Sequence, residues 1–532
     1  MFLRESKTSI NEGWRSTVAE KSRTEYSARN TTVALFARAF AILMGFAARV
    51  VFTHTLSEDY VGINGLFTDI LSVLALSELG VGTAITYALY RPVAEHDIEK
   101  QKSLMRLYRQ FYMGVAAFVL VAGLCLIPFL PVLIKGQPNV DHLILIYLMY
   151  LCSSVLSYVG IYRRTLIDAH QMSYIGVVYQ TGSWAIQNIL QIVVLILTHN
   201  FILYLAVLIV CMIGHNICIT RKANRMYPYL KEKDIAPLSA EEKEGILRNI
   251  KAMLMHKVGN VVVNNTDNLL LSALVGTVAV GCYSNYFLII GSVKQVLEQM
   301  FQGMMASVGN MNVSESKEQI RRIFAAAFFM GQWLYGLVAI CMYMGIDLFI
   351  GESFGHQYVF AEQITLVLCL NFYLNGMRQA TIIFRDSMGL FRYDRYKAIA
   401  EALINLIVSL ALGHFLGTIG VFLGTMVSTV TTSLWVEPYM LYKHRLETSC
   451  IPYFAKYACY AGVTFLLWWL EGMLCARAFA DLSNPWILCV LRVLVCFVIT
   501  NAAYLLLYCR TAEFGLLWEK AVLLLRRKLG KA

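Results

Sequence analysis

Apolar runs of about 20 residues, each long enough to cross roughly 30 Å of hydrocarbon as a helix, recur from residue 32 to residue 508. Inside lipid every backbone N–H and C=O must find its partner within the protein, so runs of this length read as helices. The chain is therefore predicted to be an all-α integral membrane protein. Fourteen spans are expected, near 32–54, 60–90, 110–134, 142–162, 173–197, 200–219, 253–275, 278–305, 323–345, 360–383, 396–416, 418–441, 454–475 and 485–508. Composition agrees: the 532 residues are 58% hydrophobic and only 15% charged, whereas a soluble chain of this length would divide into domains with polar surfaces. Spans two and eight exceed what a crossing needs and predict tilt or extension beyond the bilayer.

Basic residues orient these helices, because cytoplasmic loops retain Lys and Arg. Of the 45 Lys and Arg, 38 lie on the side of the N-terminus, counting those at the span ends, and only Lys135 and Arg477 lie in the opposite loops. Arg38, Arg49, Lys294, Arg378 and Arg492 fall inside spans. Both termini are thus expected in the cytoplasm and the protein in the cell membrane. The first 31 residues contain no apolar signal-peptide core. The net charge of +11 follows from this topology and gives no reason to expect a nucleic-acid partner. The 13 cysteines are scattered without a CxxC pair and read as small hydrophobes. Two stretches, "AEEKEGILRNIKAMLMHK" before span seven and "FGLLWEKAVLLLRRKLGK" in the tail, have the pattern of helices lying on a lipid surface. The resulting organisation is a cytoplasmic segment 1–31, spans one to six over 32–219, an amphipathic linker 220–252, spans seven to twelve over 253–441, two further spans over 442–508 and a basic tail 509–532.

A carboxylate at the centre of a span costs about 2.5 to 3.5 kcal/mol on insertion scales, so Asp267 in "NNTDNLLLSALVG" needs a reason. At 100° per residue Asn260, Asn264 and Asp267 lie within about 60° of each other, and such a face must meet other helices or water. Span five repeats the pattern with Gln180, Gln187 and Gln191 within about 40°, with Trp184 alongside. Span eight carries Ser292, Gln295, Gln299 and Gln302, with Lys294 and Glu298 as an i,i+4 pair on an adjacent face. Span ten repeats the amide spacing as Asn371 and Asn375, with Arg378 where Asp267 stood. Arg38 and Arg49 differ by about 20° in azimuth and about 16 Å in height, like a track for an anion. Amides of this kind also act as interhelical glue. Glu78 and Asp267 are candidates for coupling to protons or sodium, with ion pairing to the arginines as the alternative.

Chemistry of other kinds is missing from the sequence. It contains no GxxxxGK[ST] phosphate cradle and no His/Cys cluster with metal spacing. The longest outer loop, "GIDLFIGESFGHQYVF", offers only Asp347, Glu352 and His356 to a membrane-embedded transferase or polymerase. A carrier is expected, not an enzyme, with no cofactor beyond an H+ or Na+ gradient. A faint internal repeat points the same way: "VGINGLFTDILSVL" at 61 and "VGCYSNYFLIIGSV" at 280 share their opening Val-Gly and an Ile nine positions on, and repeats are common in secondary transporters.

The segments 56–97, "LSEDYVGINGLFTDILSVLALSELGVGTAITYALYRPVAEHD", and 264–293, "NNTDNLLLSALVGTVAVGCYSNYFLIIGSV", resemble polysaccharide-repeat flippases of the multidrug/oligosaccharidyl-lipid/polysaccharide (MOP) superfamily. The resemblance implies two six-helix lobes around a central cavity plus two C-terminal helices, and alternating access. It implies as substrate a polyprenyl-pyrophosphate oligosaccharide, moved from inner to outer leaflet for capsule, exopolysaccharide or cell-wall polymer assembly, among membrane lipids and beside polymerase and glycosyltransferase partners. It places Arg38 and Arg49, and more loosely Lys294 and Arg378, on the pyrophosphate. The amides of Gln180, Gln187, Gln191, Asn260, Asn264, Gln295, Gln299, Asn371 and Asn375, with Trp184, suit sugar hydroxyls. A lipid II flippase and a cation-coupled drug antiporter of the same superfamily are the rival transporters.

Overall fold

The structure is a computed structural model that describes residues 23–74, 81–135, 138–170, 172–232, 235, 237–239, 241–246, 266–302, 304–305, 308, 316–390 and 396–528. Glu78, Asn260 and Asn264 lie outside the described residues. The main helices are α1 (Arg23–Thr55), α2 (Glu58–Leu74), α3 (Val81–Ala94), α4 (Ile98–Leu126), α5 (Leu143–Ser157), α6 (Ile161–Ala169), α7 (Ser173–Thr198), α8 (Phe201–Met226), α9 (Thr277–Gln302), α10 (Lys317–Phe354), α11 (Glu362–Met377), α12 (Gln379–Ser387), α13 (Lys397–Leu416), α14 (Thr418–Ser428), α15 (Leu434–Leu441), α16 (Ile451–Ala478), α17 (Pro485–Tyr508) and α18 (Ala512–Lys528). Residues 266–274 form a further helical stretch before α9. No strand occurs among the described residues.

Ten helices among the described residues are long and apolar enough to cross a membrane, against the fourteen spans expected. Part of the difference is helix breaking: the expected tenth span is divided into α11 and α12 at Arg378. Large apolar side chains such as Phe415 and Leu506 are more than 80% exposed, as lipid-facing positions of membrane helices must be. This is a multi-pass membrane protein.

Two compact units are present, and both are discontinuous in sequence. Unit 1 comprises Met1–Phe52, Leu74–Ile127 and His142–Lys257; unit 2 comprises Thr53–Val73, Pro128–Asp141 and Val258–Ala532. The expected lobe 32–219 is therefore not one compact body, since residues 53–73 and 128–141 pack with the C-terminal half, and the linker 220–252 groups with unit 1. The physical reason is a set of specific contacts. Thr277 donates its hydroxyl to Asp59 (2.9 Å), the Asn139 N–H donates to the same carboxylate (3.1 Å), and Ser272 donates to the Leu133 carbonyl (2.7 Å).

The backbones of α2 and α9 approach closely where the two helices cross in unit 2. A Cβ placed on Gly62 would overlap the Thr277 carbonyl, and one on Gly281 would lie 3.2 Å from both the Glu58 carbonyl and the Gly62 nitrogen. Each glycine thus faces the residue one turn before the other glycine. These are the two Val-Gly pairs of the internal repeat, and Val61 and Val280 are both fully buried there. Only glycine lets two helix backbones come this near, the same small-residue device that membrane helices use generally.

Unit 2 is organised on α10, whose 38 residues run about 57 Å. The C-terminal helices α16 and α17 pack on it through a buried polar knot. Gln332 donates to the Thr464 hydroxyl (2.8 Å) and the Tyr460 carbonyl (3.2 Å), and accepts from Tyr373 (2.7 Å). In unit 1 the linker is tied to the start of α4 by Lys102–Glu232 and Lys100–Glu242, both 2.5 Å, and by Tyr229 donating to Gln101 (2.6 Å).

Candidate functional site

Unit 2 encloses a polar cavity of about 390 Å3. Seven of the residues singled out in the sequence line it together: Asp267, Lys294, Glu298, Gln302, Asn371, Asn375 and Arg378. Tyr283, Phe287 and Phe372 add aromatic surface, and Glu401 adds a further carboxylate. Three elements supply most of the wall: α9, the α11–α12 pair and the helix that begins at Thr418.

Span seven's stripe ends on this cavity. Asp267 is buried and accepts from the Thr425 hydroxyl (3.1 Å), which in turn accepts from Asn405 (2.9 Å). Its neighbour Asn268 turns the other way and donates to Asp69 of α2. Asp267 therefore faces polar groups and not lipid, which removes most of the cost of having it in a span.

Span ten places the amides and the cation as the spacing predicted, but the cation is already engaged. The Arg378 guanidinium forks onto Glu437, donating from Nε (3.1 Å) and Nη2 (2.9 Å), while Nη1 reaches Glu401 (3.3 Å) and Asn375 (3.2 Å). Glu437 is fully buried and also takes Arg385 (3.2 Å) and Lys397. Ser433 donates to the second Glu401 oxygen (2.6 Å). Charge-assisted bidentate hydrogen bonds are about twice as strong as neutral ones and fix geometry as well, so Arg378 is held in the cavity wall. Among the cavity's bases Lys294 is the one held loosely, 3.8 Å from Glu298 and partly exposed.

The last wall contains a π-helical turn, Thr429–Ser433, which leads into α15 with Pro438 inside it; a second such turn, Tyr442–Leu446, follows α15. Thr425, Thr429, Ser433 and Glu437 are spaced by four. In an α-helix each such step drifts by about 40°; the wider i→i+5 turn takes drift back. The four side chains can then serve Asp267, the cavity, Glu401 and Arg378 in turn.

Gln295 and Gln299 are exposed and do not line this cavity. Of the stripe expected on span eight, Gln302 lines the cavity, and it is joined there by Lys294 and Glu298, the pair expected on the adjacent face, because α11 and α12 lie on that side of α9. In unit 1, Gln180 accepts from Arg164 (3.1 Å), Gln187 donates to Gln191 (3.3 Å), and buried Gln191 donates to the Tyr204 carbonyl (3.2 Å). Trp184 lies against Gly45 of α1. Arg49 stacks over the Phe52 ring at 5.8 Å, a cation–π distance, while Arg38 is exposed. Glu437, Arg385 and Lys397 did not enter the sequence reading as site residues. Glu437 stands near the end of a span, Arg385 just beyond one and Lys397 at the first turn of another, where charge reads as topology; the Pro438 beside Glu437 is the available signal.

No protein-family model matches this chain, and no curated protein does. Solved structures do match its backbone. An inward-facing multidrug resistance MATE family transporter of the MOP superfamily shares 14% identity at a TM-score of 0.60, over 75% of this chain and 94% of that chain. The lipid II flippase MurJ, in an inward closed conformation, shares 13% identity at a TM-score of 0.61, over 90% of this chain and 99% of that chain. A MOP superfamily transporter from Pyrococcus furiosus, described as having a binding pocket of reversed polarity, shares 12% identity at 0.53, over 81% and 98%. At such identities the likeness concerns the backbone alone: the chain has the fold of the MOP superfamily transporters.

Proposed function

We propose that this protein is a flippase that moves a polyprenyl-pyrophosphate-linked oligosaccharide from the inner to the outer leaflet of the cell membrane by alternating access, for assembly of a capsule, exopolysaccharide or cell-wall polymer. Both termini are cytoplasmic in this reading, and an H+ or Na+ gradient supplies the energy. A polysaccharide polymerase and glycosyltransferases are its expected neighbours. The observation that carries the proposal is the cavity of unit 2. Asn371 and Asn375, the aromatic rings of Tyr283 and Phe287, and one loosely held lysine meet in a single space. Sugar hydroxyls need amide donors and acceptors, ring faces stack on aromatics, and a phosphate needs a cation whose charge is not already spent. Lys294 fits that last role better than Arg378. Arg38 and Arg49 of α1 are the remaining pyrophosphate candidates, and Asp267 and Glu78 the coupling candidates. Length supports a flippase too: the MATE chain pairs with 75% of this chain, MurJ with 90%.

A second reading, an antiporter for cationic compounds, is favoured by the carboxylates Asp267, Glu298 and Glu401 in the same cavity. Depleting the protein in its host and measuring lipid-linked oligosaccharide by extraction and mass spectrometry separates the two. Accumulation of one defined repeat unit supports the flippase. An unchanged pool with new sensitivity to cationic compounds selects the antiporter. Accumulation of lipid II alone assigns the chain to that precursor instead.

A further inference from the structure

A second cavity of about 390 Å3 in unit 2 has a different character. It opens where three helix ends meet: the first turns of α10, the loop 447–450 leading into α16, and the start of α18. Its floor is aromatic. Phe324, Phe328 and Tyr453 are all buried, with the Phe328 and Tyr453 rings 4.5 Å apart and Phe324 and Tyr453 stacked at 5.9 Å. Its rim is basic. Arg321 and Arg322 are exposed on α10, and neither forms an ion pair with a carboxylate among the described residues. Lys456 completes the rim and is neutralised by Glu513 of α18, which ties the terminal helix down as one wall. Thr448 and Ser449, both exposed, line the same cavity.

We propose that this cavity binds the headgroup of an anionic phospholipid from the leaflet on the side of the chain's termini. The two exposed guanidinium groups supply the charge a phosphate diester needs. The aromatic floor and Leu516 suit the glycerol and upper acyl carbons. The position is that of a lipid: the cavity lies at the ends of membrane-crossing helices, and α18 is amphipathic with Trp518 largely exposed, as expected of a helix lying in the interface. The polar transport cavity shares no residue with this one, so the inference is independent of the transported substrate.

The test uses the full-length protein in neutral detergent, titrated with dioleoylphosphatidylglycerol or dioleoylphosphatidylcholine, with bound lipid counted by native mass spectrometry. Phosphatidylglycerol should bind and phosphatidylcholine should bind less. The double variant Arg321→Gln/Arg322→Gln should weaken phosphatidylglycerol binding about tenfold or more, given the usual contribution of a basic residue near an anionic surface. Thr448→Trp, which fills the mouth and keeps both arginines, should lose the adduct as well. Arg510→Gln/Lys520→Gln, on exposed bases outside the cavity, should not. Undiminished phosphatidylglycerol binding by the first two variants would overturn the proposal. So would sodium phosphate displacing the lipid equally well, which would assign the cavity to a soluble phosphate compound.

Discussion

Helices α7 and α11 carry similar polar text in apolar surroundings and put it to different use. On α7, the glutamines are satisfied within unit 1 by each other, by Arg164 and by a carbonyl of α8. On α11, Asn375 and Arg378 join a network drawn from helices far apart in sequence, in which Glu437 gathers three bases. The first arrangement is glue. The second is an anchor beside a cavity, and the element that distinguishes them is a buried carboxylate some 60 residues away, invisible to any pattern read along one helix.

That difference can be broken at its strongest point. Glu437→Gln keeps the shape but leaves Arg378, Arg385 and Lys397 without their common partner, and removing one member of a buried ion pair costs about 3 to 5 kcal/mol. Thermal unfolding in detergent should show a large fall, partly relieved when Arg378→Met is added; equal stability would reduce the network to unconnected pairs. Next in size is the helix crossing. Gly62→Ala should cost about 1 to 3 kcal/mol through overpacking, and more than Gly281→Ala, because the Gly62 site has a carbonyl inside contact distance whereas the Gly281 site has 3.2 Å. The same unfolding measurement would contradict the crossing if the order were reversed. On α7, Gln191→Leu should cost about 0.6 kcal/mol, up to roughly 1.7, the range of membrane hydrogen bonds, and leave transport intact. The smallest effect on stability belongs to Lys294→Gln, whose partly exposed pair is worth under about 1 kcal/mol. Its effect on export should be large, which reconstituted flipping of a labelled lipid-linked oligosaccharide would read; unchanged flipping would remove Lys294 from the substrate site.

Much of this architecture was legible because lipid constrains sequence so tightly. Apolar run length marked the helices, and the 371/375/378 spacing marked the face of α11 that lines the cavity. The spacing also marks Asp267 as facing a polar group, which is the Thr425 hydroxyl. Azimuth on α9 was not legible: amides and charges occupied adjacent faces, and only the position of α11 and α12 decides that Lys294 and not Gln295 turns inward. The engagement of Arg378 was hidden for a related reason, since charges near span ends serve topology and packing with the same residue types. The π-helical turn between Thr425 and Glu437 leaves no periodic signature beyond a proline.

The crossing of α2 and α9 has a further consequence. The two Val-Gly stretches of the faint internal repeat, 219 residues apart in the chain, meet so that each glycine faces the residue one turn before the other. This is the geometry of an isologous contact, the self-complementary surface by which identical subunits form a two-fold dimer, here closed within a single polypeptide. In a homodimer one substitution alters both sides at once. Here each side can change alone, so the two faces are free to diverge while the symmetry of their meeting is kept.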